Sequence, residues 1–112
     1  MNLNLKKYKI KAMFETVKRR RQRVSEVLSA LSNVDRLHIV CLLSDGEVCA
    51  GDLAKKARIK RSSMSQHLNV LKGARLITYR REHRVLYYSI SDPLVHELLN
   101  TVENSFSVVV DV

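Results

Sequence analysis

Residues 60–77 read KRSSMSQHLNVLKGARLI, and their pattern is the most informative one for the fold. Met64, Leu68 and Leu71 recur at i, i+4 and i+7, which places them on one face of a helix. The opposite face carries hydroxyl and carboxamide side chains, which are poor core formers and mediocre helix formers. These are Ser62, Ser65, Gln66 and Asn69. This polar stripe is either an ordinary solvated helix face or a surface that meets a partner.

The start of this predicted helix is basic. Lys60 and Arg61 lie where the unpaired N–H groups of a helix already favour an anion. Short hydroxyls donate to phosphates, and Gln and Asn also hydrogen-bond to base edges in the major groove. The segment therefore predicts a DNA recognition helix, with contacts from Lys60, Arg61, Ser62, Ser63, Ser65, Gln66 and Asn69.

Two runs of alternating residues follow this helix, LITYRR (76–81) and RVLYYSI (84–90). Their content of Tyr, Val and Ile is typical of a β-hairpin. The hairpin tip is basic, and we expect DNA contacts there from Arg81, His83 and Arg84. A short helix, a helix with a polar stripe and a basic hairpin together predict a winged helix-turn-helix. Its hairpin tip would reach the DNA backbone or an adjacent minor groove.

Helical periodicity accounts for most of the remaining chain. It predicts a helix over about 6–31, a second helix after a capping signal at Ser32 and Asn33, and a short third helix that includes residues 49–59. The second helix has little polar face, so we expect it to be buried almost all round. Asp92–Pro93 begins a last helix. The predicted order is α-α-α-α-β-β-α, mainly helical with a small β-hairpin, in one domain over 1–112.

The two terminal helices lie outside the predicted winged helix-turn-helix. Both have broad apolar faces that the rest of the domain does not use, which predicts a homodimer held by residues 1–31 and 92–106. Such a dimer would bind two half-sites one helical turn apart on double-stranded DNA. The apolar tail, residues 107–112, would fray or join the interface.

The charge of the chain is strongly positive. Its 20 Lys and Arg residues exceed 11 Asp and Glu, for a formal charge of +9. Such a charge favours a polyanionic partner, although a protein can be basic without one. The run KRRRQR (18–23) is either a solvated helix face or a contact with the DNA backbone. No apolar run could span a bilayer and no signal peptide is evident, so we expect a cytoplasmic protein without a membrane partner.

Three stretches resemble the ArsR/SmtB family of winged-helix repressors: NVDRLHIVCLL (33–43), GDLAKKARIKRSSMSQHLNVLKGARLI (51–77) and YRREHRVLYYSI (79–90). The resemblance covers about residues 25–106. It implies a dimeric bacterial repressor that an inducer releases from its operator. His67 matches a family histidine at the inner edge of the recognition helix, which we interpret as structural. Many relatives have Gly at the wing tip, so His83 must adopt the turn geometry at some cost.

The family's metal sites are incomplete in this sequence. Cys49 matches the first cysteine of a thiolate site on the short helix, but Gly51 replaces the second. Asp92 matches the first ligand of a carboxylate and histidine site on the last helix. The other ligand positions of that site hold Leu94, Ser105 and Val108. We therefore predict no metal and no other cofactor.

The family's third inducer site is a dithiol switch, found in the branch that resembles HlyU and BigR. Cys41 in RLHIVC (36–41) matches its first cysteine, but Phe106 and Ser107 stand where the second would be. Cys49 could serve as the partner if the two sulfur atoms come within reach. Cys41 is either a redox sensor or a small core residue, and Cys49 is either a reactive thiol or a bystander.

Enzymatic function is disfavoured. The chain has only 3 Gly, so no phosphate-cradling loop exists, and its acidic residues are scattered. The sequence predicts a sequence-specific transcriptional regulator, a repressor released by an inducer, with thiol oxidation or persulfidation as one signal. The alternatives are a non-regulatory or architectural DNA-binding protein, a metal-responsive repressor with an unrecognised site, and an anti-repressor.

Overall fold

Five helices and a small sheet make up the part of the chain that the computed structural model describes, residues 3–106. The elements in chain order are α1 (Leu3–Leu31), α2 (Val34–Leu42), β1 (Val48–Cys49), α3 (Ala50–Ala57), α4 (Arg61–Gly73), β2 (Ile77–Glu82), β3 (Val85–Ile90) and α5 (Pro93–Phe106). The winged helix-turn-helix prediction is confirmed, with one strand added. The prediction for the tail, residues 107–112, lies outside the described residues.

The added strand changes the predicted order to α-α-β-α-α-β-β-α. Strand β1 pairs antiparallel with β3, which also pairs with β2, so the sheet order is β1-β3-β2. Only Val48 and Cys49 form β1, opposite Tyr88 and Tyr87. Two residues are too few to show the alternation by which a strand is predicted. This strand places the start of α3 against the base of the wing.

The predicted helix starts after Ser32/Asn33 and at Asp92–Pro93 are confirmed by capping hydrogen bonds. Asn33 Oδ1 accepts from the Arg36 N–H at 3.0 Å, and Asp92 Oδ1 accepts from the Leu94 N–H at 2.9 Å. Each side chain satisfies an N–H group that the first helical turn leaves unpaired. Helix α3 ends at Ala57, and its C-cap Arg58 has a φ of 55°, in the left-handed region, which turns the chain toward α4.

The core lies between α2, α3, α4 and the sheet. The predicted stripe of α4 is buried, and Leu71 is fully buried. The buried set is apolar apart from the Tyr88 hydroxyl: Val27, Ala30, Ile39, Val40, Leu43, Leu53, Ala57, Met64, Leu68, Leu71, Leu76, Ile77, Tyr88 and Val95. This packing fixes α4 in orientation, with its polar stripe directed outward.

The prediction that α2 is buried almost all round is wrong. Ile39 and Val40 are buried, but Val34 is 83% exposed, and Leu37 and Cys41 are exposed as well. The exposed residues are spaced i, i+3 and i+7, so they share the one face of α2 that no other described element of the chain covers. The interpretation of Cys41 as a core residue is therefore wrong for this chain.

Among the side chains of α1 that the structure describes, those of the C-terminal third are the ones that pack on the domain. Val27 and Ala30 are buried, whereas residues 5–21 are exposed throughout and extend about 25 Å along the helix axis. Its apolar face includes Phe14, which is 64% exposed, and Val17. At the other end of the chain Phe106 on α5 is 76% exposed. Both terminal helices thus have uncovered apolar surface.

Candidate nucleic-acid interface

The exposed face of α4 is the centre of the candidate site. The four residues of the polar stripe are all exposed: Ser62, Ser65, Gln66 and Asn69. Their side chains make no hydrogen bond or ion pair with any other residue in 3–106. On the opposite side Met64, Leu68 and Leu71 are buried in the core. The helix therefore presents a rigidly held row of donors and acceptors whose hydrogen-bonding capacity remains available to a partner.

The N-terminal end of α4 adds positive charge to this face. Lys60 is the N-cap residue and Arg61 the first helical residue; both are exposed. No side chain in the described part of the chain caps the first turn, and that turn contains no acidic residue. Free N–H groups, the helix dipole and two cations favour an anion there. Ser63, also predicted as a contact, is half-buried on the flank of α4 rather than on its exposed polar face.

The wing tip is a tight two-residue turn between β2 and β3. Glu82 and Val85 are paired in register, so His83 and Arg84 form the turn. His83 has a φ of 57°, in the left-handed region where a side chain costs free energy. This confirms that the residue adopts the unfavourable turn geometry. Arg81, His83 and Arg84 are all exposed at the tip, as their predicted role requires.

Arg80 differs from its neighbour Arg81. Both of its guanidinium edges are occupied by carboxylates: Nη2 lies 2.6 Å from Glu47 Oε1, and Nη1 lies 2.7 Å from Glu82 Oε2. Its guanidinium also lies 4.4 Å from the ring centre of Tyr87. The hydrogen bond from Arg80 lowers the pKa of Glu47, and both carboxylates raise the pKa of Arg80. Arg80 therefore ties the wing to the segment before β1 and is not free for a phosphate.

His67 and Asp35 link α4 to α2. The His67 side chain is 15% exposed, and its Nε2 lies 3.5 Å from Asp35 Oδ2. The residue occupies the flank of α4 between the buried and the exposed faces. This position favours a structural role, because the imidazole points to α2 rather than to the polar stripe.

Arg23 has a structural role that its place in the basic run KRRRQR (18–23) did not predict. Its Nη1 donates to the Ala74 carbonyl oxygen at 2.5 Å, and its Nη2 donates to Asp92 Oδ2 at 2.6 Å. The guanidinium thus joins α1 to the end of α4 and the start of α5. A signal was present in the sequence, because Arg23, Val27 and Ala30 are spaced i, i+4 and i+7 on the packed face of α1.

Asp92 is occupied by this structural role. The Leu94 N–H and the Arg23 guanidinium both stabilise its carboxylate and lower its pKa. The side chain that matches a family metal ligand is therefore an N-cap and ion-pair partner here. Among residues 3–106, no three His, Cys, Asp or Glu side chains are grouped so that they could hold a metal ion.

The two cysteines are both free thiols. Cys41 is exposed on α2, and partial desolvation raises the pKa of its thiol. Cys49 is half-buried at the end of β1, next to the start of α3. They belong to different elements, and neither forms a disulfide.

The described helices include none that is long and apolar enough to cross a membrane.

The chain is similar in sequence to known bacterial regulatory proteins. Residues 33–79 match the model of the bacterial regulatory protein, arsR family. A transcriptional repressor SmtB homolog from Synechocystis sp. is 37% identical over 81 residues, 72% of this chain and 61% of that protein, so the chain spans less than two thirds of that relative. The transcriptional repressor SdpR from Bacillus subtilis is 35% identical over 81 residues, 72% of this chain and 90% of that protein.

A solved structure shows the same architecture. The crystal structure of the transcriptional repressor BigR from Xylella fastidiosa superposes with a TM-score of 0.77 at 29% identity, covering 82% of this chain and 94% of that one. The matched family segment runs from the N-cap of α2 into β2 and contains the whole of α4. Sequence and fold thus agree, and the chain belongs to the arsR family of bacterial regulatory proteins, the DNA-binding transcriptional regulators with a winged helix-turn-helix.

Proposed function

We propose that this protein is a homodimeric, sequence-specific repressor that places α4 in the major groove of its operator. The observation that carries the proposal is the exposed polar face of α4, which is held by a buried apolar face and flanked by cations. These four exposed side chains have no partner among the described residues, so their donors and acceptors are free to exchange water for a ligand. A base-lined groove supplies donors and acceptors that match them.

The side chains divide into two roles. Gln66 and Asn69 would hydrogen-bond to base edges, because carboxamides pair with adenine in the major groove. Ser62 and Ser65 would contact phosphates or bases from the same face. The phosphate contacts that position the protein without selecting a sequence would come from Lys60, Arg61, Arg81, His83 and Arg84. Ser63 would contribute a hydroxyl at the flank of the helix.

A homodimer accounts for the uncovered faces of the terminal helices. Phe14 and Val17 on α1 and Phe106 on α5 are all more than half exposed. Apolar surface of this extent at both ends of one domain is costly in water and is typical of an interface. Two-fold pairing would present two copies of α4 to successive major grooves.

Cys41 is the residue through which an inducer would act in this proposal. It is an exposed free thiol on α2, the helix that contacts α4 through Asp35 and His67. Oxidation or persulfidation of Cys41 would add a bulky or charged group to that face of α2. Because the two helices are in direct contact, a shift of α2 would change the presentation of α4 to DNA.

The test is fluorescence anisotropy with DNA from upstream of the protein's own gene, in the presence of a chelator. Tight binding to this DNA and weak binding to a scrambled duplex are expected. Inorganic polysulfide should then release the wild type but not Cys41→Ser. Equal binding to both duplexes would contradict the repressor and indicate an architectural protein, which has little sequence preference and a steep salt dependence.

A further inference from the structure

The positive charge of this protein is not concentrated on its recognition surface. Residues 1–23 contain nine of the 20 Lys and Arg residues and one of the 11 acidic residues, so this segment carries a charge of +8 out of +9. Residues 24–112, which include α4 and the wing, are nearly balanced at +1. The electrostatic attraction of the protein for a polyanion therefore originates mainly in the exposed part of α1.

Within this part of α1, the basic segment Lys18–Arg21 lies next to the packed domain. These four side chains are exposed, and none forms an ion pair with any residue whose side chain is described. Arg23, two positions beyond Arg21, does have partners, as it contacts Asp92 and Glu26. Four consecutive like charges repel one another in a helix, and an external polyanion would relieve this repulsion.

The basic segment stays accessible whichever face of α1 a dimer covers. Successive residues of a helix are rotated by about 100°, so four consecutive side chains surround the axis. A partner helix on the face of Phe14 and Val17 would leave at least two of the four cations directed away from it. In the proposed dimer, both copies of the segment would therefore present cations at the surface.

We propose that the basic segment Lys18–Arg21 is a second DNA-binding surface, which contacts phosphates outside the two half-sites contacted by α4. This inference rests on the proposed function, because it needs the dimer bound at an operator. The contacts are with the backbone, so they add affinity and salt dependence without base preference. The winged helix-turn-helix would then supply most of the specificity and α1 a large share of the attraction.

An anionic membrane is the other polyanionic surface that a basic amphipathic helix can bind. Such a helix buries one apolar face and keeps its cations on the other. Arg21 is spaced i+4 from Val17 and i+7 from Phe14, so it lies on the apolar face itself. A cation there opposes insertion of that face into lipid but does not hinder contact with a phosphate backbone, which favours DNA.

The experiment compares three full-length variants with the wild type. In the first, the glutamine variant, Lys18, Arg19, Arg20 and Arg21 are all replaced by Gln. In the second, the lysine variant, Arg19, Arg20 and Arg21 are replaced by Lys, which conserves the charge. In the third, the distal variant, Gln replaces Lys6, Lys7, Lys9 and Lys11. This variant loses the same amount of charge, but nearer the N-terminus of α1.

Affinity for operator and scrambled duplexes of about 40 base pairs is measured from about 50 to about 300 mM salt, the range over which phosphate contacts change affinity strongly. Circular dichroism and sedimentation verify folding and dimerisation of each variant.

The proposal expects the glutamine variant to have a flatter slope of log affinity against log salt. Each lost phosphate contact reduces the slope by about 0.9, or about 2 for one contact in each protomer. This decrease in slope should be equal on both duplexes. It should be absent in the lysine variant and smaller in the distal variant. Trimming the operator to the two half-sites should remove most of the difference between the wild type and the glutamine variant.

Three results would overturn the inference. One is an unchanged salt slope in the glutamine variant, and another is an equal loss in the distal variant, which would indicate a diffuse charge effect. The third comes from measuring the binding of the same proteins to phosphatidylserine vesicles. If the glutamine variant bound DNA as the wild type does but no longer bound the vesicles, the basic segment would be a membrane-binding surface. A wild type without operator preference would instead contradict the proposed function itself, so the two failures are distinguishable.

Discussion

Helices α4 and α1 have similar sequence patterns but different surroundings. Both carry apolar residues at helical spacing beside polar or basic ones, and both form helices. In α4 the stripe of Met64, Leu68 and Leu71 is buried by the rest of the chain, whereas in α1 Phe14 and Val17 remain exposed. Periodicity therefore identifies a helix and its apolar face, but not the element that covers that face.

The consequence is a division of roles along the chain. Helix α4 is held by the core and presents an organised polar surface with Lys60 and Arg61 at its start, in a segment, residues 24–112, whose net charge is only +1. The exposed part of α1 lacks packing of its own within the described residues and carries most of the net charge. We expect α4 to determine which DNA is bound. We expect the exposed part of α1 to determine dimer assembly and the strength of the electrostatic attraction to DNA.

The largest effect should come from breaking the buried side of α4. Leu71 is fully buried, so Leu71→Ala removes core contacts and leaves a cavity, which should lower the free energy of unfolding by about 2–5 kcal/mol. Urea denaturation followed by circular dichroism measures this loss. The matched control is Val70→Ala on the same helix, where the side chain is 43% exposed and a much smaller change is expected. Similar losses in both variants would contradict the assigned orientation of α4.

The exposed side of α4 should affect specificity instead of stability. Gln66→Ala should reduce the preference for operator over scrambled DNA by about 1–3 kcal/mol, because a carboxamide lost from the groove no longer selects a base. Competition anisotropy at fixed salt gives this difference.

The paired control for Gln66 is Arg84→Ala at the wing tip. That substitution should weaken binding to all sequences alike and reduce the salt slope by about 2, because it removes one phosphate contact from each protomer of the dimer. An unaltered operator preference in Gln66→Ala would remove the basis for assigning α4 as the recognition helix.

The apolar face of α1 should affect assembly. Phe14→Ala should weaken dimerisation by about 1–2 kcal/mol, since truncation of a central aromatic residue at an interface commonly costs more than about 1 kcal/mol. Sedimentation equilibrium measures the dissociation constant. Thr16→Ala lies on another face of the same helix and should leave dimerisation unchanged. A dimer that is insensitive to Phe14 would place the interface elsewhere.

The contact between Arg23 on α1 and Asp92 at the start of α5 should make a smaller, pH-dependent contribution to stability. Asp92→Ala removes both a helix cap and the partner of Arg23, at a cost of about 0.5–2 kcal/mol near neutral pH. The pKa of Asp92 is lowered in the folded state from its ordinary value of 3.8. Its contribution is therefore complete above about pH 4 and is lost as the pH falls through the folded-state pKa.

Thermal unfolding of the wild type and Asp92→Ala from about pH 7 down to about pH 2 tests this linkage. The difference in melting temperature between the wild type and Asp92→Ala should decrease as the pH falls. Asp92→Asn retains a capping oxygen without the charge, so its melting temperature at neutral pH should lie between those of the wild type and Asp92→Ala. A difference that stays constant with pH would mean that packing, not the carboxylate, is responsible.

Much of the fold and of the candidate site could be predicted from local patterns. The stripe of α4, the caps at Asn33 and Asp92, and the hairpin turn at His83 depend on residues within a few positions of one another. Strand β1 was missed, because two residues show no periodicity. Helix α2 was predicted to be buried because Leu37 and Cys41 are apolar, yet burial depends on whether a neighbouring element covers that face.

The amphipathic helices, the basic wing and the polar stripe of α4 follow from the amino-acid sequence alone, because each arises from short-range spacing and side-chain chemistry. Which charges are neutralised depends instead on how the chain folds. The fold pairs Arg23 with Asp92 and Arg80 with Glu47, while the cations at 18–21, 81 and 84 remain free of ion pairs with described residues. An ion pair needs two groups within about 4 Å, and residues 69 or 33 positions apart meet only when the chain folds.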